Sequence, residues 1–177
     1  MNQLEQNHIY EAASERIEEI VGRLLRLSHK TLAIAESCSG GYASQLIVQV
    51  PGCSSYYKGG IVAYNNQIKQ EVLGVSERTL LRHGVVSHQV AIEMANQVRL
   101  KFKADIGLSS TGIVGPGKEV DEINPIGTVW IGYADGNKSH AERLKLTFDR
   151  RYNIQLTAYH LLNLLRINLQ PVNHINS

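Results

Sequence analysis

Thr31-Leu-Ala-Ile-Ala-Glu36-Ser-Cys-Ser-Gly-Gly41 is a short, continuous apolar run that breaks into a polar turn ending in two glycines. A run of that length without alternation reads as a strand buried on both faces, and such strands belong to parallel sheets covered by helices. Upstream, apolar residues recur at Ile9, Ala13, Ile17, Ile20, Val21, Leu24 and Leu25, the stripe of an amphipathic helix over about residues 9–29. Downstream, a helix over about 41–50 is stopped by Pro51-Gly52. Gly60-Ile-Val-Ala-Tyr64 predicts a second buried strand, followed by a helix capped by Asn65 or Asn66. Ser76 and Ser87 are further cap candidates, the second preceding a helical pattern from Val90 to Phe102. Ile106-Gly-Leu-Ser-Ser110 predicts a third strand that stops at Thr111-Gly-Ile-Val-Gly-Pro-Gly117, with a polar surface loop as far as Asn124. Residues 127–134 and 141–148 flank Asp135-Gly136-Asn137 and predict a β-hairpin, because Asp-Gly suits the primed turns that hairpins prefer. A closing helix is expected over about 149–169. Three strand–helix units and a hairpin predict an α/β fold, a three-layer α/β/α domain with a mixed, largely parallel sheet ending in the hairpin.

With 177 residues, 43% of them hydrophobic, the chain can bury one good core, so a single domain over 1–177 with its core at about 31–169 is expected. A formal net charge of +2 is too small to drive sequence-independent nucleic-acid binding through phosphate neutralisation, so nucleic acid is not an expected partner. The first twenty residues carry Glu5, Glu11, Glu15, Glu18 and Glu19 and no long apolar run, which predicts neither a signal peptide nor a membrane span and a cytoplasmic protein. Two cysteines, Cys38 and Cys53, are too few for a disulfide framework and are expected as thiols.

In a sheet of this kind the crevice lies at the ends of the parallel strands, where three turns converge: residues 36–41, 64–69 and 111–117. The first sets Ser37 between a buried strand and a helix, where backbone N–H groups stabilise an oxyanion or a phosphate, and Gly40 and Gly41 allow a ligand close to the backbone. The alternative is a plain strand-to-helix turn with Ser39 as the N-cap, and Glu36 either orients the turn or is a solvated or paired carboxylate. The second turn offers Tyr64 and Lys69 as a base for a serine nucleophile, provided Lys69 loses its charge or acts through Tyr64; otherwise they are a strand-end tyrosine and a surface lysine. The third, Gly112-Ile-Val-Gly-Pro-Gly-Lys118, matches the glycine–lysine frame of a phosphate loop, but Glu119 stands where the magnesium-binding hydroxyl is needed. A backbone phosphate cradle with Thr111 as hydroxyl donor remains open there. Cys38, in the same turn as Ser37, leaves a cysteine nucleophile open, although no histidine presents itself as its base. The seven histidines form no three-ligand pattern, so no metal is expected.

Ala35-Glu-Ser-Cys-Ser-Gly-Gly41, Pro51-Gly-Cys-Ser-Ser55, Tyr64-Asn-Asn-Gln-Ile-Lys69, Leu73-Gly-Val75, His83-Gly-Val-Val-Ser87, Thr111-Gly-Ile-Val-Gly-Pro116 and Pro125-Ile-Gly-Thr-Val-Trp130 occur in order. Together they resemble the C-terminal domain of the competence/damage-inducible CinA family over nearly all of residues 31–165. The resemblance implies an amidohydrolase that converts nicotinamide mononucleotide to nicotinate mononucleotide and ammonia, as stand-alone members do. It implies Ser37 as nucleophile, Ser54 as an alternative nucleophile or proton relay, and Tyr64 with Lys69 as the base. Ser39, Gly40, Gly41, Thr111, Gly112 and Arg150 would bind the substrate, the guanidinium fork of Arg150 suiting its phosphate. No cofactor is implied. The expected partners are the small-molecule nucleotide and further copies of the chain, with no membrane. Larger members carry an additional N-terminal pyrophosphatase domain, and that activity is not expected here. Two departures stand out: Ser39 replaces the usual Thr and keeps its hydroxyl, and Phe148 replaces the Gly of Gly-Asp-Arg, with the expectation that it closes part of the pocket or shifts Arg150. A catalytically silent nucleotide-binding or regulatory module of the same fold is the alternative.

Overall fold

A computed structural model describes residues 15–116 and 124–170. The elements are α1 (Ile17–Leu27), β1 (Leu32–Glu36), α2 (Tyr42–Val48), a 3-10 turn (Cys53–Ser55), β2 (Tyr57–Val62), a π-helical turn (Ile68–Leu73), α3 (Glu77–His83), α4 (His88–Lys101), β3 (Ile106–Gly112), β4 (Thr128–Ala134), β5 (Ser139–Lys145) and α5 (Arg150–Leu169). They form one five-stranded sheet of order β2-β1-β3-β4-β5. β1 runs parallel to β2 and β3, and β4 and β5 are antiparallel additions, so the sheet is mixed as expected.

Side-chain size sorts the two faces. Along β1 and β3 the large residues Leu32, Ile34, Ile106 and Leu108 point to one side and join the core made with α1, α2 and α5. The alternate positions, Ala33, Ala35, Gly107 and Ser109, are small and lie under α4. That smallness lets α4 sit unusually close: a Cβ on Gly107 would come within 2.0 Å of the Ala95 carbonyl, and one on Gly132 within 2.6 Å of that of Ala91. The Ser109 hydroxyl donates to the same Ala91 carbonyl at 2.6 Å, so even the polar residue of this face serves the contact.

Several elements differ from expectation. The second strand begins at Tyr57, before the predicted Gly60, and it is an edge strand that alternates between half-buried and exposed rather than a buried one. A parallel strand at the sheet edge covers only one neighbour, so its apolar run carries no information about burial on both faces. The first helix starts at Ile17; the expected residues 9–14 lie outside the described part, and Glu15 and Arg16 are not helical. The loop expected between Gly117 and Asn124 is likewise outside it. In the hairpin neither Gly136 nor Asn137 takes a positive φ, so the turn is not of the primed kind. The Asp135 carboxylate holds it instead, accepting from the N–H groups of Asn137 and Lys138 at 2.7 and 2.9 Å. Asn65, Ser76, Ser87 and Asp149 each accept a backbone N–H at the start of the following helical segment.

Candidate active site

The ends of β1, β2 and β3 open into a cleft of about 270 Å³. Ser37 and Cys38 follow β1, Tyr64 and Lys69 follow β2, Thr111 to Pro116 end β3, and Arg150 enters from the start of α5. A larger groove of about 480 Å³ lies at the opposite end of the sheet. It holds none of the candidate residues, and its carboxylates Asp105 and Asp135 are occupied by Thr31 and by the hairpin turn.

Ser37 and Lys69 touch. The Lys69 amine donates to Ser37 Oγ at 3.0 Å and to the Ala63 carbonyl at 2.9 Å, with the lysine 1% and the serine 7% exposed. Both hydrogen-bond partners of the amine are neutral, and burial, opposed only in part by Cys38, lowers its pKa to about 8. Lys69 lies in the first turn of the π-helical segment, and its carbonyl accepts from Val75 N–H at 2.8 Å where that segment closes at Gly74.

Glu36 organises the turn that carries Ser37. Its carboxylate, 1% exposed, accepts from the Ser39 hydroxyl, the N–H groups of Gly41 and Ala43, and both the N–H and hydroxyl of Ser44. The expected phosphate donors are therefore used up. Gly41 N–H is on Glu36, and Gly40 N–H is on the Ser37 carbonyl at 3.2 Å. These glycines serve the backbone, at φ of +62° and +98°, rather than a ligand's approach, and neither lines the cleft. Ser39 is not the helix cap; it is buried against Glu36 and the Ser110 hydroxyl, at 2.7 and 2.6 Å. Cys38 is no nucleophile in this setting, since burial pushes its thiol up to about 12.

At the cleft mouth, Arg150 Nη2 donates to the Tyr64 hydroxyl at 2.9 Å. Tyr64 is thus coupled to the cation of α5, not to Lys69. Thr111 lines the cleft but spends its proton on the Val85 carbonyl at 2.9 Å, tying the α3–α4 connection to β3. Gly112 is a ladder residue opposite Val129, and the next N–H, of Ile113, donates to the Thr128 carbonyl, while Gly117 and Lys118 of the expected phosphate loop lie outside the described residues. Ser54 sits exposed on the 3-10 turn before β2, at the other end of the parallel strands, which places a full strand length between it and Ser37. Phe148 does not close the pocket: it is 53% exposed and packs edge-on to Tyr152 at 4.9 Å.

Two structural residues of the site were missed. Asn153, fully buried, donates to the Val114 and Phe148 carbonyls at 3.0 and 2.8 Å, pinning the cleft wall to the helix turn that carries Arg150. A polar residue inside the apolar stripe of the last helix was the available signal. Gly115 allows the same approach, because a Cβ there would lie 2.6 Å from Arg150 Cβ.

The family model described as CinA C-terminal domain matches residues 14–169. The CinA-like protein of Amoebophilus asiaticus is 58% identical over 92% of this chain, which covers 39% of that protein. The CinA-like protein of Cytophaga hutchinsonii is 43% identical over 94% of this chain, which covers 40% of it. The chain thus spans about two fifths of the length of these relatives. Among solved structures, the competence or damage-inducible protein of Enterobacter asburiae superposes with a TM-score of 0.83 at 26% identity, covering 89% of this chain and all (100%) of that one.

Proposed function

The chain belongs to the CinA C-terminal domain family, and from that premise we propose that it is an amidohydrolase that converts nicotinamide mononucleotide to nicotinate mononucleotide and ammonia. The observation that carries the reading is the 3.0 Å contact between Ser37 Oγ and the buried, charge-weakened Lys69 amine. A serine hydroxyl attacks an amide only if its proton has somewhere to go, and a lysine whose pKa lies near 8 is a base near neutral pH. In the neutral form Lys69 takes the Ser37 proton as Oγ attacks the carboxamide carbon. Collapse of the tetrahedral adduct breaks the C–N bond, and Lys69 returns that proton to the departing nitrogen, which leaves as ammonia. Water then attacks the ester carbon with Lys69 again as base, freeing the nicotinate carboxylate and restoring Ser37. The Ala63 carbonyl holds the amine in place throughout. Arg150, poised on Tyr64 at the mouth, supplies a fork for the substrate phosphate, while the turn at Gly40 and Gly41 has no donor left for it.

Ammonia release from nicotinamide mononucleotide by the purified protein tests the reading, with Ser37→Ala beside it. The expected result is turnover by the wild type and none by a folded variant that still binds the nucleotide. Binding without turnover in the wild type would mean a silent binding module instead.

A further inference from the structure

We infer that the groove of about 480 Å³ at the N-terminal ends of β1 and β3 is a second ligand site, which takes a small organic anion through a carboxylate or phosphate group gripped by Arg99. The inference is independent of the chemistry at Ser37, which lies at the other end of the sheet.

Arg99 stands in the last turn of α4 and lines the groove. It is on the side of the helix that meets β3, since a Cβ added to Gly107 would come within 2.8 Å of the Arg99 Cβ. Its Nε is buried without an acceptor, and no hydrogen bond or ion pair engages the rest of the guanidinium among the described residues. Partly burying a guanidinium is costly unless acceptors replace the lost water. Packing therefore holds this side chain in place while Nη1 and Nη2 stay uncommitted. Those two atoms form the end of a planar fork that matches two oxygens of a carboxylate or a phosphate.

The acids of the groove do not supply the missing partner. Asp105 accepts from the Thr31 N–H and hydroxyl at 2.8 and 2.7 Å, with Lys30 as its neighbouring cation. Asp135 accepts from the Asn137 and Lys138 N–H groups at 2.7 and 2.9 Å and from the Tyr133 hydroxyl at 2.9 Å, with Lys138 as its cation. Two carboxylates thus have two lysines, and the charge of Arg99 is left over. Ala104, Ile106 and Leu169 add apolar wall to the same groove. An apolar surface with one uncommitted charged group is the usual make-up of a site for a small organic molecule, and this groove is larger than the cleft at Ser37.

The test titrates the isotope-labelled full chain with two pairs of probes, acetate with benzoate and inorganic phosphate with phenyl phosphate. Ionic strength is held constant with chloride, and arginine Nε–Hε and backbone amide cross-peaks are followed. The Arg99 side-chain peak and the amides of Lys30 and Asn137 are expected to move saturably with at least one pair, and the pair that moves them identifies the anionic group. Within that pair the ring-bearing member should bind about fivefold or more tightly, because its ring buries against the apolar wall. Arg150 in the cleft has its own side-chain peak, so phosphate bound there is read separately. Arg99→Lys keeps the charge without the fork and should weaken binding on the order of tenfold. Arg99→Met should abolish the shifts at Lys30 and Asn137. Peaks that move with neither pair, or as much with chloride, overturn the site. Equal affinity of the two members of a pair reduces Arg99 to a surface charge and overturns the groove as its setting, and undiminished binding by Arg99→Lys overturns the fork. The wild-type titrations decide even if Arg99→Met does not fold.

Discussion

Lys69 carries a charge that the fold does not welcome, and this has two measurable consequences. Its pKa falls from 10.5 in the unfolded chain to about 8, so below pH 8 both states are protonated and the folded protein bears the whole desolvation cost. As pH rises from 8 to 10.5 the folded state has lost the proton while the unfolded chain keeps it, and stability rises with pH. Lys69→Met should therefore be more stable than wild type at pH 7, by up to about 3 kcal/mol, with the gain shrinking over that window in denaturant melts. The same titration should appear in catalysis as a kcat/KM that climbs to a plateau above about pH 8. Lys69→Arg keeps the charge but cannot give up a proton, so it should lose about 10²–10⁴-fold in kcat, as should Lys69→Ala. Tyr64→Phe separates the roles. Because the Tyr64 hydroxyl is bonded to Arg150 and not to Lys69, this variant should keep kcat within about threefold and raise KM. Equal loss of kcat in Tyr64→Phe and Lys69→Arg would return Tyr64 to the base. The sequence brought Ser37, Lys69 and Tyr64 into view together, but it left open which of the last two holds the proton, because that depends on a hydrogen bond between residues 32 positions apart.

Among the elements, α4 and α5 matter most, and each is held in its own way. α4 lies on β3 and β4 through Gly107 and Gly132, where an added Cβ would strike backbone carbonyl oxygens. Gly107→Ala should cost about 3 kcal/mol or more, measured as a lower denaturant midpoint at unchanged m, since backbone and not a flexible side chain is in the way. The start of α5 is fixed differently. Asn153→Ala would leave the Val114 and Phe148 carbonyls without their donor, at about 3 kcal/mol. It should also raise KM, because Arg150 rides on the same turn; an unchanged KM in the folded variant would detach Arg150 from substrate binding. The closing helix was legible over about 149–169, and the structure adds that Asp149 caps it. Its role as a mount for the cleft was not, since Asn153 sits 39 positions from the carbonyl it holds.

For the molecule as a whole, the parallel strands decide what is near the chemistry. Ser37 lies at one end of β1 and Ser54 before the opposite end of β2, so Ser54→Ala should leave kcat unchanged and stability within about 0.5 kcal/mol. Loss of turnover in that variant alone would contradict the placement. No helix among the described residues is long and apolar enough to cross a membrane. The sequence by itself determined the layered α/β architecture, the mixed sheet with its hairpin, most helix starts and the convergence of three turns, because periodicity, caps and breakers act over a few residues. Tertiary structure alone decided that β2 is an edge strand, that Ser54, Ser39, Gly40 and Gly41 stand apart from the cleft, and that Lys69 meets Ser37 while Tyr64 meets Arg150. It also decided that Glu36 consumes the donors of its own turn. Each of these depends on which of several chemically able groups ends up within about 3 Å of another, a distance set by packing across the sheet and not by any local pattern.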